Sequence, residues 1–145
     1  ADGENPEIAW VPAGGSLKPP TAETVAARLH TFQMQGKELF KHAVRRMASA
    51  TQECLKNSHV EESAISWVVP HQANARIIDA LAKTFSVDPS RVYRTIHKYG
   101  NTSASSMAIA LDELVRENPV EKNELILLCA FGAGLTWGAS LLRKV

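Results

Sequence analysis

The run LILLCAF, residues 125–131, narrows the choice of fold more than any other part of this 145-residue chain. An unbroken apolar run offers no side to water, so as a strand it must be covered on both faces, as the inner strands of helix-flanked sheets are. With the following GAG it is also far too short to span a bilayer. GAG, residues 132–134, predicts a turn into a second strand, LTWGASLLRKV. Upstream, AISWVVP (64–70) is rich in β-branched and aromatic residues and is stopped by Pro70, which predicts another short buried strand.

Helical periodicity separates these runs. Residues 72–85 repeat apolar side chains through Ala73, Ile77, Ala80, Leu81 and Phe85, with Arg76 and Lys83 on the exposed side. A third long helix is expected to start near Thr102, with Thr102, Ser103 or Ser105 as its cap, and to end before Pro119. RVYRTI (91–96) reads as a strand between the two. From Gly36 a further helix carries the stripe Leu39, Phe40, Ala43, Val44, Met47, Ala50, Cys54 and Leu55, with Lys41 and Arg45 one turn apart on its other face. The order strand, helix, strand, helix, strand, strand predicts a layered α/β architecture. Residues 1–35 are expected to be irregular, since the first twenty hold four prolines and three glycines. IAWV is a possible edge strand there, and residues 36–145 form the expected domain.

Sixteen basic residues against fifteen acidic ones give a net charge of +1, which argues against a nucleic-acid binder working through a strongly basic field. The two cysteines, Cys54 and Cys129, fit no disulfide framework and no metal-ligand spacing, favouring a reducing compartment such as the cytoplasm. Both fall on apolar faces and read as core thiols rather than nucleophiles.

In open α/β sheets ligands sit beyond the carboxyl ends of the strands. Three loops meet that description: His71 after VVP, Asn101 after RVYRTIHKYG, and the glycine-rich turn after LLCAF. His71 and Asn101 are one strand–helix–strand unit apart, which returns the chain to the same sheet edge. Imidazole and carboxamide can each point an N–H at a developing oxyanion, and a glycine-rich turn can add backbone N–H groups. Plain structural roles compete with this reading: a histidine that only packs after a proline, a Gly-Asn turn and cap, and a simple hairpin at FGAG. The remaining histidines, His30, His42, His59 and His97, suggest surface or packing roles.

WVVPHQANARII, YGNTSASSMAIALDE and LLCAFGAGLTWGASLLR, in that order and at those separations, closely resemble the C-terminal part of the 3-oxoacyl-[acyl-carrier-protein] synthase III family. The likeness extends back through MQGKELFKHAV and so covers nearly everything from Met34 onward. It implies a thiolase-like layered α-β-α fold with a mixed sheet flanked by helices, of which this chain holds most of the C-terminal half only. It also implies an acyltransferase without metal or cofactor that condenses acyl-CoA with malonyl-acyl carrier protein to initiate fatty acid synthesis. The nucleophilic cysteine is expected on an N-terminal part of the same enzyme, in a separate or cleaved chain, and the complete units are expected to form a homodimer. By resemblance His71 and Asn101 are catalytic donors to the malonyl thioester oxygen, and Ala133 contributes an oxyanion-binding backbone N–H. Gly36, Phe40 and Asn74 match positions lining the pantetheine tunnel, and Lys41, Arg45, Arg76 and Lys83 match a basic docking patch for the acidic carrier protein. A related enzyme with another starter or a secondary-metabolite role, and a non-catalytic scaffold or acyl-CoA-binding chain, are the alternatives.

Overall fold

The structure, a computed structural model, describes all of residues 1–145. The chain divides into two compact units, one made of Ala1–His42 with Gly132–Thr136, the other of Ala43–Phe131 with Trp137–Val145. The strands and helices in order are β1 (Ala9–Trp10), α1 (Ala22–Ala26), β2 (Gln33–Met34), α2 (Gly36–Asn57), β3 (Ile65–Pro70), α3 (Ala75–Ala82), α4 (Ile96–Tyr99), α5 (Ser105–Glu117), β4 (Leu125–Gly132) and β5 (Thr136–Arg143). No helix is long and apolar enough to cross a membrane.

The larger unit is built on a three-stranded sheet in the order β3-β4-β5. β4 is the apolar run, and its central place explains why Leu125, Ile126, Leu127, Cys129 and Phe131 are all buried. β3 runs parallel to it, from Ile65 opposite Leu125 to Pro70 opposite Cys129. β5 follows after residues 133–135 only, a connection too short for a crossover, so it returns antiparallel and the sheet is mixed. One face packs against α5: Trp67, Val69 and Ile126 form a core cluster with Ala110 and Leu114. Side chains alternate along a strand, so Val68, Leu127 and Cys129 face the other way. They are equally buried, and the stripes Met47, Thr51, Leu55 on α2 and Ile77, Ile78, Leu81 on α3 are the apolar faces available to cover them.

Two expectations need correction. RVYRTI is not a strand. Pro89–Arg91 is a 3-10 turn, Val92 makes a single parallel bridge to Val68, and α4 begins at Ile96. The reason lies in Gln72, whose side-chain Oε1 accepts from the amides of Thr95 (2.9 Å) and Ile96 (3.2 Å), diverting donors a strand would use. The start of α5 is also later than predicted, at Ser105. Ala104 occupies the cap position and, with a methyl side chain, has no acceptor to offer the first turn, while the Ser103 amide bonds the Asn101 side chain and the Ser105 hydroxyl turns back to the Thr102 carbonyl.

The smaller unit shows more order over residues 1–35 than their proline and glycine content predicts. β1 and β2 pair antiparallel, Ala9 opposite Met34 and Trp10 opposite Gln33. Between them Thr21 and Thr24 close a capping box that starts α1, and Thr24 Oγ1 also meets His30 Nε2 at 2.9 Å. Residues 133–135 belong to this unit, where Leu135 exchanges both backbone hydrogen bonds with Asp2, at 2.6 and 2.8 Å.

Candidate active site

His71 is the first residue beyond β3, and its amide donates to the Cys129 carbonyl at 2.8 Å, so its position is fixed by the parallel ladder. Its half-buried ring is fixed separately. Nδ1 lies 2.6 Å from the hydroxyl of Ser106, a residue 1% exposed in the first turn of α5. The same hydroxyl oxygen accepts the amide of Gln72 at 3.1 Å. The one hydrogen bond of the ring is made by Nδ1, and Nε2 has no partner within the chain. Burial holds the His71 pKa below the usual histidine value, so the ring is neutral at neutral pH.

Asn101 reaches the same helix end by a different route. Gly100, just before it, has φ +67° and ψ −155°, a backbone region essentially reserved for glycine. An added Cβ there would meet nothing, so the requirement is conformational rather than spatial. The Asn101 Oδ1 accepts from the Ser103 amide at 2.9 Å, and the Ser103 carbonyl in turn accepts from the Ser106 amide at 3.2 Å. A bonded path therefore runs from the His71 ring through Ser106 and Ser103 to the Asn101 side chain. With Oδ1 engaged, the free end of Asn101 is its Nδ2 amide, a donor. The amino end of α5, with its partial positive charge, is the point where the two tethers meet.

The segment leading to Asn101 is fastened on both sides. On the inside, fully buried Gln72 donates from Nε2 to the carbonyls of Pro70 (2.7 Å) and Tyr93 (3.4 Å) and accepts from Thr95 and Ile96. On the outside, Lys98 bridges Glu113 (2.8 Å) and Glu117 (3.1 Å) of α5, while the Tyr93 and Tyr99 hydroxyls donate to Glu117 and Glu113. Bonding to the two carboxylates raises the Lys98 pKa, and the Tyr93 hydroxyl is pushed up to about 12, chiefly by burial and then by Glu117.

The other predicted residues stand on other elements of the two units. Asn74 caps α3, its Oδ1 accepting from the Arg76 amide at 2.9 Å, and Gly36 is the exposed first residue of α2, where Phe40 is half-buried. Lys41 is committed to an exposed ion pair with Glu38 at 2.8 Å, which lowers the Glu38 pKa. Arg45, Arg76 and Lys83 are exposed and unpaired. Ala133 is exposed in the β4–β5 turn, and Gly134 beside it has φ +141°, with the Thr136 amide nitrogen 3.2 Å from where a Cβ would sit. Cys129 is buried, and burial pushes its thiol up to about 12, which unfits it as a nucleophile.

Ser106 and Gln72 were not among the predicted site residues, although each leaves a trace in the sequence. Ser106 stands on the stripe Ser106, Ala110, Leu114, where a hydroxyl on a buried face demands a partner. Gln72 sits where β3 gives way to the loop before α3, and nothing local shows that it is buried.

Residues 55–144 match the sequence profile of the family described as 3-Oxoacyl-[acyl-carrier-protein (ACP)] synthase III C terminal. Beta-ketoacyl-[acyl-carrier-protein] synthase III of Chlamydia caviae is 54% identical over all 145 residues, which correspond to 43% of that protein. The crystal structure of 3-oxoacyl-[acyl-carrier-protein] synthase III from Aquifex aeolicus matches 99% of this chain and 42% of its own, with 42% identity and a TM-score of 0.84. That from Thermus thermophilus matches all of this chain and 44% of its own, with 35% identity and a TM-score of 0.85. The mixed sheet and its flanking helices are thus the C-terminal part of a thiolase-like fold. The chain belongs to the 3-oxoacyl-[acyl-carrier-protein] synthase III family and spans less than half the length of these relatives.

Proposed function

We propose that this chain is the C-terminal part of a condensing enzyme that initiates fatty acid synthesis from acyl-CoA and malonyl-acyl carrier protein. In the first stage a cysteine thiolate from the N-terminal part attacks the acyl-CoA carbonyl and expels the CoA thiolate, leaving an acyl-enzyme thioester. In the second, the malonyl thioester loses carbon dioxide and the electron pair of the broken C–C bond becomes an enolate. The enolate carbon attacks the acyl-enzyme carbonyl and expels the cysteine thiolate. Both stages are heterolytic thioester chemistry and call for no redox cofactor.

His71 Nε2–H and Asn101 Nδ2–H donate to the malonyl thioester oxygen as negative charge builds on it. The observation that carries this reading is that each side chain has its other polar end tethered toward the start of α5, which leaves a free donor on both. Fixed donors need no reorganisation when the charge appears, and this is where they gain over water. The Ala133 N–H serves the tetrahedral oxyanion of acyl transfer. Gly36, Phe40 and Asn74 line the path of the pantetheine arm. Arg45, Arg76 and Lys83, with Lys41 if it leaves Glu38, meet the acidic carrier protein, and the complete enzyme works as a cytoplasmic homodimer.

The test is to separate the two stages in the full-length enzyme. His71→Ala and Asn101→Ala are each expected to slow malonyl decarboxylation about 10²- to 10³-fold while acyl transfer from CoA changes much less. Unimpaired decarboxylation in both variants would overturn the roles assigned to His71 and Asn101.

A further inference from the structure

We propose that Ser106 is a positioning residue that holds His71 in the tautomer protonated on Nε2. This rests on the donor role given to His71 above, since only that tautomer offers an N–H from the free side of the ring.

The hydroxyl's bonding decides the tautomer. Its oxygen already accepts from the Gln72 amide, and its proton has one acceptor within reach, His71 Nδ1 at 2.6 Å. The reverse arrangement, with Nδ1–H donating to the hydroxyl, would strand the serine proton at a position 1% exposed, where an unmet donor is costly. It would also turn the Nε2 lone pair toward the developing anion, replacing an attraction with a repulsion. Because burial keeps the ring neutral, the choice of tautomer cannot be bypassed by protonating both nitrogens. The relay is directional: Gln72 N–H to Ser106 Oγ, Ser106 O–H to His71 Nδ1, His71 Nε2–H to substrate. The Ser106 amide also donates to the carbonyl of Ser103, whose own amide bonds Asn101, so the tethers of both donors converge just before and within the first turn of α5.

Long-range proton–nitrogen correlation spectra of protein labelled with ¹⁵N-histidine read the tautomer directly, alongside steady-state decarboxylation of a malonyl thioester. The wild-type ring is expected to carry its proton on Nε2. In Ser106→Ala the population should move toward the Nδ1–H form, with decarboxylation turnover down about tenfold at unchanged KM. Ser106→Thr, which keeps the hydroxyl, should restore both readings. A wild-type ring protonated on Nδ1 overturns the proposal without any variant, so it stays testable even if Ser106→Ala does not fold. An unchanged tautomer in folded Ser106→Ala overturns it equally. Failure of the function itself looks different: His71→Ala would decarboxylate normally while Ser106→Ala still shifted the tautomer.

Discussion

His71 and Asn101 carry equivalent donors but are held in opposite ways. The imidazole is half-buried and fixed by tertiary structure, its backbone by β4 and its ring by a serine 35 positions further along. The carboxamide is exposed and fixed locally, by a glycine-only backbone before it and an amide two residues after it. A site built this way has one donor whose aim depends on the core and one whose aim depends on a turn. Damage to packing and damage to the turn should therefore disable it by separable routes.

Asn101→Asp tests the donor held by the turn most severely. Aspartate keeps the acceptor for the Ser103 amide, so the turn and the fold should survive, with stability changed by less than about 0.5 kcal/mol. The donor is replaced by a carboxylate facing an anion, and decarboxylation in the full-length enzyme should fall at least about 10³-fold. A large loss of melting temperature would mean that Asn101 matters for structure rather than for charge. Gln72→Leu probes the core side. It strips Thr95 and Ile96 of their buried acceptor, and denaturant titration should show a loss of about 3 kcal/mol. Asp88→Ala is the control, because Asp88 makes the same local bond as Asn101, accepting from the amide two residues on, but as the cap of a 3-10 turn with no part in the site. A modest loss of stability should go with it, as for other caps, and malonyl decarboxylation should change far less than in Asn101→Asp.

The smallest effect is one of pH. The unfolded His71 titrates near its ordinary value of 6.5, whereas burial places the folded ring below that. Between the two values the unfolded chain binds more protons, so stability should decline as pH is lowered through 6.5 and level off once the folded ring protonates. Denaturant midpoints measured across this range should show a shallower decline in His71→Gln than in the wild type.

The same contrast explains what the sequence made legible. β4 was readable because its run is apolar throughout, and α2, α3 and α5 because period 3.6 repeats over several turns. His71 and Asn101 stood out because a strand end and a Gly-Asn pair are local signals. RVYRTI was misread because its amides bond a glutamine some twenty residues earlier, and within residues 1–35 the short helix α1 was not foreseen because its threonine capping box lies among prolines and glycines. The tether between His71 and Ser106 is purely tertiary, and only the oddity of a serine on a buried helical stripe hinted at it.

A double-mutant cycle on decarboxylation, combining His71→Ala with Asn101→Ala in the full-length enzyme, tests most directly whether the two donors serve a single developing charge. If they do, the double variant will be little worse than the poorer single one. If the two losses multiply as though the residues had never met, the shared site does not exist.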